Sequence, residues 1–268
     1  MPTLSEVSYS RQDCIAAFRD YFHFLTTMYL AEDAILEPPE GGWPSVTNEA
    51  MRAVGKNEEV ASLLRYLPYV ATTSAGESAA QVMPYLYFAD WPEDCAQINS
   101  GRLTGEAARE TSESYLDAER VPPHVVSLTS GGRHNTAILL DTKLGIILWP
   151  ECPVEIRCHA FRDEIQDDAY DYAPENEADW RGGGSWAITD FFEVLKNEFR
   201  QLYFVPLNSR TLYDTYIQLI GDLKDIIPML QEMYRKHGWP NMELYNKRKC
   251  LAAVLAVLED KYPDYADR

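Results

Sequence analysis

The groups in this chain whose types and spacing could do chemistry are few, and most lie between residues 124 and 180. Ser130, His134 and Asp141 supply a hydroxyl, an imidazole and a carboxylate within twelve residues, the parts of a nucleophilic triad. A small hydrolase or transferase built on a His134/Asp141 pair would need a pocket where base, acid and oxyanion donors converge. His159, with carboxylates close behind it, is the other histidine that could act as a base there. Asp141 also has a plainer use, since an aspartate opening a turn accepts hydrogen bonds from the backbone just after it. Arg133 and His134, beside Gly131-Gly132 and Asn135, could instead contact a partner from a hairpin loop.

Other chemistries lack their signatures. No HExxH pair, GxSxG elbow, Gly-Lys-Ser/Thr phosphate loop or GxGxxG turn occurs. The five cysteines, Cys14, Cys95, Cys152, Cys158 and Cys250, are odd in number and no two have the two-residue gap of a zinc or redox motif. Cys152, Cys158 and His159 lack a fourth ligand at useful spacing, so neither metal nor cofactor is expected. Reduced thiols and the absence of a basic-then-apolar leader suit a cytoplasmic, or a nuclear, compartment.

Charge narrows the partners. Against 24 Lys and Arg stand 42 Asp and Glu, a net charge of −18. Such a surface repels phosphate backbones and anionic lipid, which disfavours nucleic-acid and membrane binding and favours a protein partner of basic character. The carboxylates concentrate at Asp163, Glu164, Asp167, Asp168, Asp171, Glu175, Glu177 and Asp179. No glycine interrupts them, so a calcium loop is not the reading. They read as a solvated loop or an electrostatic docking segment, with Asp167, Asp168 and Asp171 at its centre. Trp91 and Trp180 would serve as interface anchors if exposed, or as core if not.

The elements that must position these groups begin with three apolar runs rich in Val, Ile and Leu. Val125–Thr129, Thr136–Asp141 and Gly145–Trp149 predict a three-stranded antiparallel meander, with Gly145 free to take a positive φ. A helix capped at Asp190, carrying Phe191, Leu195, Phe199 and Leu202 and closed before Pro206, should roof it. Upstream, Ser10 caps a helix over Arg11–Leu30. Thr47 begins another that Gly55 ends, and a third runs over Asn57–Tyr66 until Leu67-Pro68 stops it. A strand is expected near Tyr85–Ala89. Asp94–Arg120, poor in large apolar residues, reads as a surface insertion with one helical turn near Glu106–Glu110. From Ser209 the chain reads as helical, interrupted by Pro228. A last helix spans Met242–Leu258, and Asp260–Arg268 is expected to fray. The whole is an α+β protein, an antiparallel-dominated sheet packed by helices. Its divisions would be 1–208, with the N-terminal helix, and a helical extension over 209–268 docked on it.

Three of these pieces, in this order, resemble the SUKH superfamily, the fold of fungal cell-wall-synthesis regulators and bacterial toxin-immunity proteins. Leu67-Pro68-Tyr69 is similar to that family's early Leu-Pro step. Ala137–Trp149 (AILLDTKLGIILW) resembles its central strand pair around an Asp and a Gly. Ala187–Leu195 (AITDFFEVL) resembles its closing Asp-Phe-x-x-Leu helix. The resemblance spans Thr47–Val205, lacks the family's Asn-Gly after the first helix, and is nearer to uncharacterised fungal members than to immunity proteins. It implies a non-catalytic protein-interaction module, regulatory in the manner of a cell-wall or signalling scaffold.

Overall fold

The computed structural model describes residues 1–71, 79–113, 116, 121–130, 136–159, 161–216 and 220–266. The chain is α+β, small antiparallel sheets packed by helices. Helix α1 (Arg11–Met28) starts as expected, with the Ser10 hydroxyl accepting from the Asp13 amide, and buries Cys14, Phe18, Tyr21, Phe22, Leu25 and Met28 as one stripe. Two tyrosines extend its reach: Tyr21 and Tyr29 donate to the carbonyls of Val82 and Gln81. A two-residue strand β1 (Ile35–Leu36) leads to α2 (Asn48–Ala53) and α3 (Glu58–Leu64), capped by Thr47 and Asn57. Gly55, at φ +86°, ends the first of these. Strand β2 (Tyr69–Val70) then pairs with β1.

The next stretch departs from expectation twice. No strand forms over 85–89. Tyr85 sits at φ +64°, which breaks an extended run, and only isolated bridges, Met83 with Leu86 and Phe88 with Thr129, remain. Residues 94–113 are no surface insertion either. Asp90 caps α4 (Trp91–Asn99) and Thr104 caps α5 (Gly105–Ser112). Trp91, Cys95, Ala108 and Ser112 are buried. The packing is done by small residues: a side chain on Gly105 would strike the Ala53 carbonyl of α2 at 2.2 Å. Counting large apolar residues misses a helix that docks through backbone contact. A buried Lys56–Glu113 ion pair fixes the end of α5 to the α2–α3 turn.

The meander is present and gains a strand. β3 (Val125–Ser127), β4 (Leu139–Asp141), β5 (Ile146–Trp149) and β6 (Gly184–Ala187) form one antiparallel sheet in that order. The strands are shorter than the sequence pattern because Ser127 and Thr129 turn their hydroxyls into local bonds, Thr129 reaching the Thr136 carbonyl. Gly145 takes φ +75° where Ser8 and Tyr9 cross it; a side chain there would lie 2.7 Å from their backbone. Both faces of the sheet are covered, which explains near-continuous apolar strands in place of alternation. Val126, Leu140, Ile147, Trp149 and Trp186 face the main core, whereas Val125, Leu139, Ile146 and Leu148 face a second cluster with Ile165 and Trp180.

Between β5 and β6 run α6 (Val154–His159), α7 (Ala169–Tyr172) and α8 (Glu175–Arg181), so the acidic stretch is partly helical, not a plain loop. β6 passes directly into α9 (Ile188–Arg200). Asp190 is therefore not its cap. The helix starts at Ile188 without a side-chain cap bond, and Asp190 sits in the first turn, where its charge still favours the positive end. The aromatic stripe packs as expected: Phe191 meets Trp149 and Trp186 at centroid distances of 6.4 and 6.1 Å, and Phe192 meets Phe18 of α1 at 4.8 Å. Leu202 lies past the helix end at φ +60°.

The region after Ser209 is not helical at its start. Asn208 accepts from the amides of Arg210 and Thr211, closing a hairpin of β7 (Phe204–Pro206) and β8 (Leu212–Asp214), so residue 208 falls inside that hairpin. Helix α10 (Leu223–Lys236) runs unbroken through Pro228, which lies on its exposed side. Helix α11 (Lys247–Lys261) begins five residues later than expected, at an Asn246 cap, and α12 (Pro263–Ala266) occupies much of the expected frayed end. This tail satisfies the ends of the main helices. Lys247 donates to the Thr26 and Leu30 carbonyls at the end of α1, and the Trp239 indole to Phe199 of α9. No helix among the described residues is long and apolar enough to cross a membrane.

Candidate functional site

Asp141 ends β4 and is wholly buried. One carboxylate oxygen accepts from the Lys143 and Leu144 amides at 2.8 and 2.9 Å, the turn role its position suggests. The other accepts from Arg181 at 2.9 Å, and the same guanidinium donates to Glu177 at 2.8 Å. His124, just before β3, stands 3.7 Å from that second oxygen. Tyr172 completes the group, against a cavity of about 130 Å³ lined also by Lys143, Leu144, Ala173 and Pro174. Burial lowers the His124 pKa, Asp141 works against that, and the Arg181 and Lys143 charges add to it. Burial opposes the Arg181 charge, yet Asp141 and Glu177 outweigh it and leave the guanidinium more basic than usual.

Three donors reach Asp141, two turn amides and Arg181, which gives it a structural role at the end of β4. The cavity is smaller than the ~300 Å³ at which small-molecule sites begin. Ser130 lies beyond the far end of β3, whereas Asp141 is opposite Val125 at its near end, so the register holds the two apart. Arg133 and His134 lie outside the described residues, as does the side chain of His159. Among the described residues no three His, Cys, Asp or Glu side chains gather to hold a metal. The larger cleft, about 430 Å³, lies between α1 and the Glu32–Glu37 segment, where Arg19 and Glu37 are paired with each other.

The two tryptophans are not surface anchors. Trp91 is 1% exposed and donates to the Ser127 carbonyl, and Trp180 is 7% exposed, roofing the second face of the sheet with Arg181 stacked on its ring at 4.4 Å. The exposed apolar groups of this region are others: Val154, Phe161 and Tyr170, at 64%, 53% and 66%. Tyr170 and Phe161 were legible as aromatics in an acidic run, but only burial separates them from the tryptophans.

Around them stand exposed carboxylates. Asp167 and Asp168 are partly committed: Asp167 accepts from the Leu4 amide and Asp168 caps α7 through the Tyr170 amide. Asp171 and Glu175 are exposed, and Asp179 accepts from the Tyr170 hydroxyl. Residues 154–181 carry nine carboxylates against three arginines. Every one of those arginines is already paired: Arg157 with Glu164, Arg162 with Asp190, and Arg181 inward with Asp141 and Glu177. Asp163 pairs with the N-terminal ammonium at 3.2 Å, and Asp171, Glu175 and Asp179 have no cationic partner among the described residues. The chain builds this by sending α8 two ways, Glu177 and Arg181 toward the sheet and Glu175 and Asp179 outward. Compared with protein-family models, curated proteins and solved structures, the chain matches none.

Proposed function

We propose that the chain is a non-catalytic protein-interaction module of SUKH type, and that residues 161–179 are its docking face for a basic segment of a partner protein. The observation that carries the reading is Tyr170 and Phe161 exposed in a segment where Asp167, Asp168, Asp171, Glu175 and Asp179 pair with no arginine among the described residues. An aromatic anchor within a charged rim is the composition of a protein interface. A surface of net charge −18 draws a basic partner at long range. The SUKH reading is supported by packing: the segments that resemble that family, 137–149 and 187–195, meet through Trp149 and Phe191. A regulatory role, of cell-wall or signalling scaffold kind, follows from that resemblance.

The test uses the full chain and two labelled peptides, one rich in Lys and Arg and one rich in Glu, titrated by fluorescence anisotropy. The basic peptide should bind, weaken steeply as salt rises, and weaken again with Tyr170→Ala and with Asp171→Asn/Asp179→Asn. Binding that ignores salt and these substitutions removes this face as the docking surface. Equal binding of the two peptides removes charge as its basis.

A further inference from the structure

Helix α11 is packed on one side only. Cys250, Val254 and Leu258 are buried against α10 and the main core. At about 100° per residue, Arg248, Lys249, Ala252, Leu255, Ala256, Glu259 and Asp260 fall within an arc of about 140° on the opposite side, and all seven are exposed. The face is basic at its start, apolar in the middle and acidic at its end. Ala252 and Ala256 stand at its centre, where they let another backbone come close, and Leu255, 44% exposed, lies on its edge.

The charges on this face run against the helix that carries them. The first turn holds no acidic residue, and Arg248 and Lys249 stand at the positive end of the macrodipole while Glu259 and Asp260 stand at the negative end. Alone, that arrangement is unfavourable. Beside a second α11 running the other way it is favourable, because the dipoles oppose and each basic end meets an acidic end. The spacing suits that partner: Ala252 and Ala256 are equidistant from Val254, as are, to within one residue, Lys249 and Asp260, and Arg248 and Glu259. Lys249 and Asp260 share one flank of this face and Arg248 and Glu259 the other, so a twofold axis level with Val254, which keeps each flank on its own side, sets Lys249 against Asp260 of the second copy, Arg248 against its Glu259, and alanine against alanine. Among the described residues none of these four charged side chains has an ion-pair partner within the chain.

We infer that α11 is a self-association surface, and that its occupant is α11 of a second copy of this chain, antiparallel across a twofold axis. This is an isologous contact of the commonest symmetry. One helix pair is a small interface, so the dimer belongs to the weak, reversible class. The surface lies on a different element from the acidic docking face, and neither reading depends on the other.

The experiment is sedimentation equilibrium of the full chain up to about 100 μM, the range a weak interface requires, at about 150 mM salt, where the Debye length of ~8 Å screens the repulsion between two acidic copies. Wild type should show a monomer–dimer equilibrium. Lys249→Glu and Asp260→Lys should each raise the dissociation constant at least tenfold, although the first makes the chain more acidic and the second less so. Mixing the two single variants should restore dimers as hetero pairs, and the double variant Lys249→Glu/Asp260→Lys should restore them within one chain. Ala252→Glu, which puts a long charged side chain at the centre of the contact, should abolish them, with circular dichroism confirming that each variant is folded. A wild type that stays monomeric throughout overturns the proposal. So do reversal variants that dimerise as wild type does, or a mixture that fails to recover.

Discussion

The two faces of the β3–β6 sheet are closed by different means. On one, α9 lays Phe191 over Trp149 and Trp186, an aromatic layer continued by Phe192 against α1 and by Phe199 against Tyr29. On the other, a short acidic segment is held by Trp180, Ile165 and the buried Arg181–Asp141 pair. The first face has a long helix and ample apolar area. The second must hold a region whose outward side is dense in carboxylates, and a directed charge pair positions it where packing alone is thin. Fold strength and surface chemistry are thus assigned to opposite sides of one sheet.

The comparison can be broken most severely from the aromatic side. Phe191→Ala removes a fully buried ring and should cost ~3–5 kcal/mol, read as a lower urea midpoint with an unchanged slope. Arg181→Ala leaves Asp141 buried and without its cation, with an expected loss of about 3 kcal/mol. The difference between the two variants should be regional. Hydrogen exchange should rise across the whole sheet in the first and concentrate over residues 161–181 in the second. Uniform exchange in both would mean that the two faces unfold as one unit.

The faces should also respond to pH with opposite sign. Glu198, on the buried end of α9, has its pKa raised from 4.5 to about 7, chiefly by burial, against the opposing hydrogen bond from Tyr216 and with help from Asp214. The folded chain then keeps a proton there that the unfolded chain has released, so stability falls as pH rises from 4.5 through about 7. Between about pH 6 and about pH 8 the loss should be ~1 kcal/mol, and Glu198→Gln should remove it. His124, on the other face, has its pKa lowered from 6.5, first by burial. The unfolded chain takes up a proton that the folded chain resists, so its contribution is complete above 6.5 and declines as pH drops below that value. Thermal melts of wild type, Glu198→Gln and His124→Gln across that range would separate the two; parallel curves would show that neither group sets the dependence.

The smallest expected effect on stability sharpens the comparison from outside. Tyr170→Ala removes a 66% exposed side chain whose hydroxyl meets Asp179. It should change stability by less than ~0.5 kcal/mol, while reducing binding of a Lys/Arg-rich peptide. A large loss of stability instead would make Tyr170 part of the scaffold.

What the chain determined alone is what local rules decide. The caps at Ser10, Thr47 and Asn57, the meander with its Asp141 turn and Gly145, and the stripe of α9 all depend on residues near one another in sequence. Strand β6 and the α4–α5 pair were not legible, because Gly184 and Gly105 read as loop until the Trp186 ring and the Ala53 backbone are seen to need the space. The β7–β8 hairpin was hidden for a related reason: its turn is closed by Asn208, an ordinary residue until its side chain bonds the next amides. Of the candidate site, the acidic segment was visible as composition. Which of its aromatics face water, which histidine stands beside Asp141, and where Arg181 points were settled only by tertiary structure. Burial and ion pairing join residues as far apart in sequence as Asp141 and Arg181, and no local pattern encodes that distance.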